Sequence, residues 1–256
     1  MTMKFQKSCD GFTLTELAVV MAIIALLIGG MLMPLSGQRD VQAANDTQKK
    51  LAEVQEALLG FALANGRLPC PALATLRTGV DSLAGTESIT GSGPTLLCAN
   101  VVGVLPWATL GVSETDSWNN RYTYRVTQEF ARGAVLQTSF VGCIPASNPQ
   151  SAAFALCSQG DMTVKTLGSG STLSSSAPAV VISHGKNGYG AYTSQGTQLT
   201  AGPDADEQNN QLLAGGTATA STNFISNIPT ATFDDMVTWI SPNVLMNRML
   251  AAGRLP

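Results

Sequence analysis

Charged residues are scarce in this sequence, and no stretch of it is strongly basic. Asp, Glu, Lys and Arg make up 12% of the 256 residues, and the formal net charge is −3. Because the basic residues do not cluster, the sequence gives no electrostatic support for nucleic-acid binding. A chain so poor in charge and rich in small residues suits a surface that packs against copies of itself. It suits an ordinary secreted β-rich domain equally well.

The sequence also lacks the motifs of common enzymes. It contains neither Gly-x-Ser-x-Gly nor His-Glu-x-x-His, and its one histidine, His184, is not part of a visible Asp-His-Ser grouping. The glycine-rich stretch 183–190 does not have the spacing of a phosphate-binding loop. We therefore expect a protein that is not an enzyme, and we expect His184 to be a loop or surface residue. A membrane-tethered enzyme whose site is assembled from distant residues is the minor alternative.

One long hydrophobic run lies near the N-terminus. From residue 12 to residue 38 the only charged side chain is that of Glu16. The stretch 12–35 would be about 36 Å long as a helix, enough to cross roughly 30 Å of hydrocarbon. A carboxylate inside such a helix costs roughly 2.5–3.5 kcal/mol near the middle of a membrane and less near its edge. Some positive group should therefore compensate Glu16.

Cleavage of the chain after Gly11 would supply that positive group. Phe12 would then carry a free ammonium group, and it lies four residues before Glu16 on the same face of a helix. The positive end of the helix dipole acts in the same direction. The ammonium group that reaches Glu16 would belong either to the same chain or to a neighbouring subunit.

These residues resemble a known processing site. Gly11, Phe12 and Glu16 precede an apolar helix, and a short leader with Lys4 and Lys7 comes before them. This arrangement is similar to the processing site of type IV pilins and type II secretion pseudopilins. The resemblance implies cleavage by a prepilin peptidase after Gly11, N-methylation of Phe12, and filament assembly by an inner-membrane platform. It also implies that Glu16 pairs with the amine of an adjacent subunit's first residue.

Two simpler interpretations of the apolar run compete with this one. A secretory signal peptide would have a core of 7–15 residues that is closed by an Ala-x-Ala site, whereas this core is longer and no such site closes it. A plain single-pass anchor leaves Glu16 without an explanation. Because Lys4 and Lys7 precede the span, we expect a cytoplasmic N-terminus, an inner-membrane helix surrounded by lipid, and a periplasmic C-terminal domain that later joins the filament.

Hydrophobic periodicity divides the rest of the chain. An apolar stripe at steps of three and four residues predicts an amphipathic helix, and it consists of Leu51, Val54, Leu58 and Phe61. The Asn-Gly pair 65–66 is a plausible end for this helix. The predicted organisation is a leader at 1–11, a transmembrane and polymerisation helix at 12–38, an amphipathic helix at 39–65 and a globular domain at 66–256.

The first helix contains residues that weaken it. Gly29 and Gly30 lower its helix propensity, and Pro34 removes a backbone hydrogen bond. In the pilins that the chain resembles, a similar part of the helix is often locally unwound in the filament. We therefore expect the helix to be weak around 29–36, with a mild kink at Pro34 in a continuous helix as the alternative.

Several later stretches have the composition of β-strands. Tyr122, Tyr124 and Val126 alternate with polar residues, which predicts a strand. The other β-prone stretches are 134–141, 162–167 and 179–183. The stretch 116–122 reads Asp-Ser-Trp-Asn-Asn-Arg-Tyr and resembles the Asp-x-Trp-Gly-x-x-Tyr segment of major pseudopilins, which leads into their first strand. Asn119 takes the place of the glycine, and Asn tolerates similar turn geometry.

The C-terminal part of the chain predicts one more helix. The stretch 233–240 is ambiguous, and we expect a short helix or turn that enters a strand. Ser241-Pro242 predicts the start of a helix and Gly253 its end. Together with the resemblance, these patterns predict an α+β, type IV pilin-like fold. Its long N-terminal helix would pack on an antiparallel sheet of about four or five strands, with loop insertions and a short C-terminal helix.

Four of the five cysteines would remain after cleavage of the leader. Cys70, Cys98, Cys143 and Cys157 are an even number in an oxidising compartment, and three pairings are possible. The pairing of Cys70 with Cys98 and of Cys143 with Cys157 closes the shortest loops, and we favour it. A zinc site is the poorer alternative, because the sequence has no Cys-x-x-Cys spacing and only one histidine.

The densest acidic stretch of the chain is 202–210. Calcium prefers six to eight oxygen ligands, and the carboxylates here could provide some of them. The major pseudopilins that the chain resembles bind calcium in a loop near this part of the fold, although the EF-hand pattern is not met. A solvated acidic turn is the alternative. The candidate calcium ligands are Asp204, Asp206, Glu207, Asp234 and Asp235.

The function that we expect is structural. The chain would be a pilin-like subunit, a pseudopilin or a minor pilin, whose partners are other pilin or pseudopilin subunits, the prepilin peptidase and the assembly platform. The alternative is a minor pilin at the filament tip that binds a surface or an exported substrate. In that case the insertions at 66–105, 143–157 and 196–230 would make the contacts.

Overall fold

A computed structural model of the chain describes residues 11–133, 152–211, 213–214, 217–218, 221–230 and 232–255. The chain divides into two compact units, Met1–Ala43 and Ala44–Pro256. The predicted strand 134–141 and Cys143 lie outside the described residues. Cys157 is disulfide-bonded.

One long helix, α1, occupies Leu14–Asn65. It ends at the predicted Asn-Gly pair, where Gly66 adopts a left-handed φ of 71° and its N–H donates to the Ala62 carbonyl at 2.8 Å. The backbone is helical throughout 29–36, and the predicted weakness of this stretch in a filament stays a prediction. Within the described residues, no helix has both the length and the hydropathy of a membrane-crossing segment.

The remaining helices are short. The last of them starts after Ser241 and is followed by Gly253 with a φ of 67°, which confirms the predicted boundaries. The bounds are α2 Trp107–Leu110, α3 Gln128–Ala131, α4 Ala205–Asn210 and α5 Pro242–Ala251.

The strands of the described residues form two larger sheets and two small ribbons. Their bounds are β1 Ile89–Thr90, β2 Leu97–Cys98, β3 Val102–Val104, β4 Thr123–Val126, β5 Met162–Lys165, β6 Thr172–Ala177, β7 Ala179–Ser183, β8 Leu213–Ala214, β9 Thr217–Ala218, β10 Asn223–Ile225 and β11 Met236–Trp239. The first sheet has the strand order β11-β7-β4-β3, and all of its pairs are antiparallel. This confirms the predicted α+β class and strands β4, β5 and β7, and it shows that the ambiguous stretch 233–240 enters a strand.

The second sheet has the strand order β10-β5-β6 and departs from the prediction in one pair. Strands β5 and β6 are antiparallel, but β10 runs parallel to β5, with Phe224 opposite Val164. A parallel pair requires a long crossover connection. The chain between β5 and β10 supplies it, and this connection contains β6, β7 and α4.

The four-stranded sheet is the middle layer of three. One hydrophobic core joins Val181 of β7 to Leu51 and Leu58 of α1. A second core joins the neighbouring residues Val180 and Ile182 to the three-stranded sheet. Successive side chains of a strand point to opposite faces, so a strand that is buried throughout has packing partners on both sides. Leu51, Val54 and Leu58 of the predicted stripe thus pack on the sheet, whereas Phe61 is half-buried and lies beneath the guanidinium of Arg67.

The long connection after α1 is held by a disulfide, by a half-buried ion pair and by a buried arginine. Cys70 and Cys98 are bonded, with their Cα atoms 5.2 Å apart. Arg67 donates two hydrogen bonds to Glu87, at 2.7 and 3.0 Å, and Glu87 also accepts from the Cys70 N–H. The buried guanidinium of Arg121 donates to two backbone carbonyls of this connection. These contacts fix a segment that has little regular secondary structure of its own.

Candidate functional site

Three acidic side chains from two separate segments meet at one point. Glu207 belongs to α4, and Asp234 and Asp235 directly precede β11. One carboxylate oxygen from each of them lies within 4.8 Å of the other two. Glu207 and Asp235 are buried, and Asp234 is half-buried. The cluster is therefore an internal group of carboxylates and not a solvated acidic turn.

The start of α4 positions Glu207. The carboxylate of Asp204 accepts hydrogen bonds from the backbone N–H groups of Asp206 and Glu207, which is the usual role of an Asp N-cap. The same carboxylate accepts from the hydroxyl of Thr232 at 2.9 Å. Since Thr232 lies just before Asp234, this contact brings the two acidic segments together.

Two of the five predicted ligands are used elsewhere. Asp204 is occupied as the helix cap, and an oxygen of Asp206 accepts from the backbone N–H of Gly168 at 3.1 Å. The structure thus brings together Glu207, Asp234 and Asp235. Asp204 and Asp206 are not part of this cluster, because their carboxylates bind backbone N–H groups elsewhere.

Two asparagine side chains hold the cluster in place. Asn187 donates its side-chain N–H to Glu207 at 2.6 Å and its backbone N–H to Asp234 at 2.9 Å. Asn210 donates to Asp235 at 2.9 Å. The sequence interpretation did not single out either asparagine. The sequence feature that could have pointed to Asn187 is its place in the glycine-rich stretch 183–190, because tight turns bring backbone and side-chain donors close together.

Each carboxylate of the cluster keeps one oxygen without a hydrogen bond. Among the described residues, no hydrogen bond reaches Glu207 Oε2, Asp234 Oδ1 or Asp235 Oδ1, although Nδ1 of His184 stands 3.5 Å from the last of them, and all three atoms are inaccessible to solvent. A buried polar atom without a partner is unfavourable, by about 1–3 kcal/mol and by more for charged groups. Carboxylate oxygens without partners, on three side chains that approach one another within 4.8 Å, are the kind of donor that a hard divalent cation binds.

Burial and mutual repulsion disfavour the ionised cluster when it holds no cation. Burial raises the pKa of Glu207, and the charges of Asp235 and Asp234 raise it further. The hydrogen bond from Asn187 lowers this pKa but does not cancel the rise. Burial also raises the pKa of Asp234, and the charge of Asp235 adds to that effect. Like charges close together in a poorly solvated place favour protonation. A bound cation would remove this repulsion, so the residues present fit a calcium ion.

His184 lies in the loop that follows β7, as one of the two predicted alternatives had it, but it is not at the surface. The residue follows β7 and is completely buried. Its Nε2 lies 2.8 Å from the Thr123 hydroxyl, and its Nδ1 lies 3.5 Å from Oδ1 of Asp235. A loop histidine becomes a core residue here because polar groups on β4 and ahead of β11 face both ring nitrogens.

The second candidate site is the N-terminal start of α1. Gly11 and Phe12 precede the helix, and the Phe12 side chain is 87% exposed. An oxygen of Glu16 accepts hydrogen bonds from the backbone N–H and the hydroxyl of Thr13, at 3.0 and 2.9 Å. The described side chains of 11–29 are all exposed, most of them apolar. An apolar surface of this extent indicates an interaction with lipid or protein.

Comparison with known proteins supports this second site. The family described as the prokaryotic N-terminal methylation motif matches residues 6–32. The chain carries the signal of type IV pilins and pseudopilins. The pilin-type signal marks a substrate of the prepilin peptidase that assembles with other pilin subunits, and it fits an N-terminal membrane anchor. It points to a structural subunit and not to an enzyme. No curated protein and no solved structure matches the chain.

Proposed function

We propose that the chain is a structural pilin-like subunit, cut after Gly11, methylated at Phe12 and assembled into a type IV pilus or a type II secretion pseudopilus. The observation that carries this proposal is Glu16, a carboxylate on an otherwise apolar and exposed helical surface, within the matched motif. In the subunit as it stands, Thr13 supplies hydrogen bonds to Glu16 but no positive charge.

Assembly would transfer the N-terminal part of α1 from lipid to the core of the filament. The precursor would sit in the inner membrane with its N-terminus in the cytoplasm and Ala44–Pro256 in the periplasm. In the filament, the apolar side chains would bury against those of neighbouring subunits. The charge pair between Glu16 and the amine of an adjacent Phe12 would set the register of the subunits.

The test compares processing and assembly. We expect the filament form of the protein to begin at Phe12 and to carry one methyl group, as measured by N-terminal sequencing and mass spectrometry. A Glu16→Val variant should be inserted and processed but should not enter filaments. Met21→Leu, a conservative change on the same exposed helix, serves as the control and should assemble. Filaments that form normally from Glu16→Val would contradict the charge-pair proposal.

We also propose that Glu207, Asp234 and Asp235 hold a calcium ion. The support is the approach of the three carboxylates to within 4.8 Å of one another, and the one buried oxygen on each of them that receives no hydrogen bond from the described residues. Calcium is favoured because every free donor atom of the cluster is an oxygen. Backbone carbonyls or water would complete its coordination. The ion would link α4 to the segment before β11.

Titration calorimetry of the full chain in detergent tests the calcium site. We expect one calcium ion to bind per chain, and we expect Glu207→Gln to lower the affinity at least tenfold by removing one charged ligand. Asp206→Asn is the matched control, since its carboxylate contacts the backbone of Gly168. If the Asp206 variant lost calcium and the Glu207 variant kept it, the ligand assignment would be wrong.

A minor pilin at the filament tip is the second candidate function. The feature that favours it is the connection after α1, which exposes large apolar side chains at Val80 and Leu83. Such residues would suit a surface that contacts a partner protein. Subunit stoichiometry in isolated filaments separates the two functions, because a tip subunit would be present in one or a few copies per filament.

A further inference from the structure

A line of buried polar groups runs from the middle of the four-stranded sheet to the acidic cluster. It starts at the hydroxyl of Thr123 in β4, passes through the ring of His184 after β7 and ends at Oδ1 of Asp235. All three residues are buried. The hydroxyl lies 2.8 Å from Nε2, and Nδ1 lies 3.5 Å from Oδ1. The second contact is slightly longer than an ordinary hydrogen bond.

The chemistry of these groups decides which ring nitrogen of His184 carries the proton. When a cation is bound, the carboxylate of Asp235 offers only acceptor oxygens, so an unprotonated Nδ1 would place two lone pairs against each other. Nδ1 therefore carries the hydrogen and faces Oδ1 as a donor. Nε2 is then the acceptor, and the Thr123 hydroxyl, which can rotate, donates to it.

This arrangement restrains the side chain of Asp235 from two sides. Asn210 donates to Oδ2 at 2.9 Å, and the ring of His184 stands against Oδ1. With a contact at each oxygen, the carboxylate of Asp235 is held beside Glu207 and Asp234, within 4.8 Å of an oxygen of each. Groups that hydrogen-bond to a metal-binding side chain orient it and tune its affinity for the metal.

We infer that His184 is a positioning residue for the cation site: it orients Asp235 through Nδ1, and Thr123 fixes the ring in the required tautomer. The inference rests on the proposed calcium binding. It assigns a role to the one histidine of the chain, which would not touch the ion.

Calcium affinity of the full chain in detergent tests this role. Removing such a supporting residue typically weakens metal binding by roughly 10–100-fold, and we expect that loss for His184→Leu. His184→Asn places an amide nitrogen near the position of Nδ1, so it should restore most of the affinity. Thr123→Val removes the hydroxyl that fixes the tautomer of His184, and we expect it to lower the calcium affinity less than His184→Leu does.

Ser183→Ala is the matched control for fold stability. Ser183 is buried next to His184, but its hydroxyl donates to Asp116 at 2.7 Å and not to the cation cluster. This variant should lower the melting temperature without changing calcium affinity. A merely structural His184 would behave in the same way, whereas a positioning residue changes the affinity as well.

The outcomes distinguish a failure of the role of His184 from a failure of the proposed calcium site. If the wild-type chain binds no calcium, both the cation site and the role of His184 are wrong. If the wild type binds calcium and His184→Leu binds it equally well, only the role of His184 is wrong. Should His184→Leu fail to fold, Thr123→Val decides, since wild-type affinity in that variant would contradict the inference.

Discussion

At the level of single residues, the turn before β4 is defined by backbone conformation. Asn119 has a left-handed φ of 67° and an exposed side chain. On either side of it, Asp116 accepts hydrogen bonds from the backbone N–H groups of Trp118 and Asn120, at 2.8 and 2.9 Å. The buried carboxylate closes the turn, and the residue at its tip must adopt a conformation that most side chains disfavour.

Substitutions of Asn119 should therefore act through the backbone alone. Asn119→Gly is expected to leave the free energy of unfolding nearly unchanged, because glycine adopts this conformation without strain. Asn119→Val should lower it by about 1–2 kcal/mol, the penalty of the left-handed conformation for a residue with a Cβ. Urea unfolding of the two variants measures the difference, and equal stabilities would contradict this account.

The acidic cluster should give the protein an unusual dependence of stability on pH. Burial raises the pKa of Glu207, so the folded chain holds this proton more tightly than the unfolded chain. The associated stability is complete below the unfolded pKa, roughly 4.3, and is lost as the pH rises through the higher folded value. In the presence of a chelator, the wild type should lose stability relative to Glu207→Gln as the pH rises.

Thermal melting between about pH 4.5 and 8 checks this expectation, with and without calcium. The comparison with Glu207→Gln is necessary because other carboxyls act in the opposite direction. For example, the hydrogen bonds from Arg125 and Thr127 outweigh burial and lower the pKa of Asp161. Excess calcium should reverse the trend for the wild type, because the ion binds the ionised cluster. A wild type that gains stability over the variant without calcium would contradict the prediction.

At the level of elements, the connection 66–105 depends on cross-links more than on secondary structure. Its strands have two or three residues each, which by themselves are too short to be stable. The bond between Cys70 and Cys98 closes a loop with a sequence separation of 28. It thereby restricts the unfolded chain and joins β2 to the segment that leaves α1.

Loss of this disulfide should destabilise the whole domain. For a loop of this length, removal of the cross-link costs about 3–4 kcal/mol in the chain-entropy model. We expect Cys70→Ser, Cys98→Ser and the double variant to show the same loss in denaturant unfolding, because each breaks the same bond. A double variant as stable as the wild type would show that the ion pair of Arg67 and Glu87 is sufficient.

At the level of the whole molecule, Ala44–Pro256 is built from three layers. The four-stranded sheet separates the core that it shares with α1 from the core that it shares with the three-stranded sheet. Leu58 is completely buried in the first core, while Gly60, two residues along the same helix, is exposed with no atoms within 4 Å of where a Cβ would lie.

These two positions of α1 should respond in opposite directions to alanine. Leu58→Ala leaves a cavity between helix and sheet and should lower the free energy of unfolding by about 2–5 kcal/mol. Gly60→Ala improves helix propensity without a clash and should raise it by about 0.5–1 kcal/mol. Denaturant unfolding of both variants tests whether this helix face packs on the sheet. Similar effects from the two changes would contradict the packing described.

Local patterns were sufficient to predict much of the fold. The Asn-Gly pair ends α1, and Ser241-Pro242 and Gly253 bound α5, because helix ends depend on neighbouring residues. The alternation of apolar and polar residues at 122–126 predicted strand β4, because a strand's side chains also follow a pattern of near neighbours in sequence. The helix is continuous through 29–36, because glycine and proline lower helix stability without always interrupting the helix, and the predicted weakness there stays a prediction. The parallel pairing of β10 with β5 had no local signal.

The sequence by itself determined the N-terminal signal, since its leader, Gly11, Phe12, Glu16 and the apolar run are consecutive and are recognised as a linear motif. The tertiary structure alone decided which acidic residues meet. Asp204 and Asp206 are as acidic and as close in sequence as Glu207, but only Glu207 reaches Asp234, 27 residues away. His184 is likewise buried only because distant strands bring Thr123 and Asp235 to its two nitrogens. A linear motif depends on neighbours in sequence, whereas a buried cluster depends on which segments the packed core brings together.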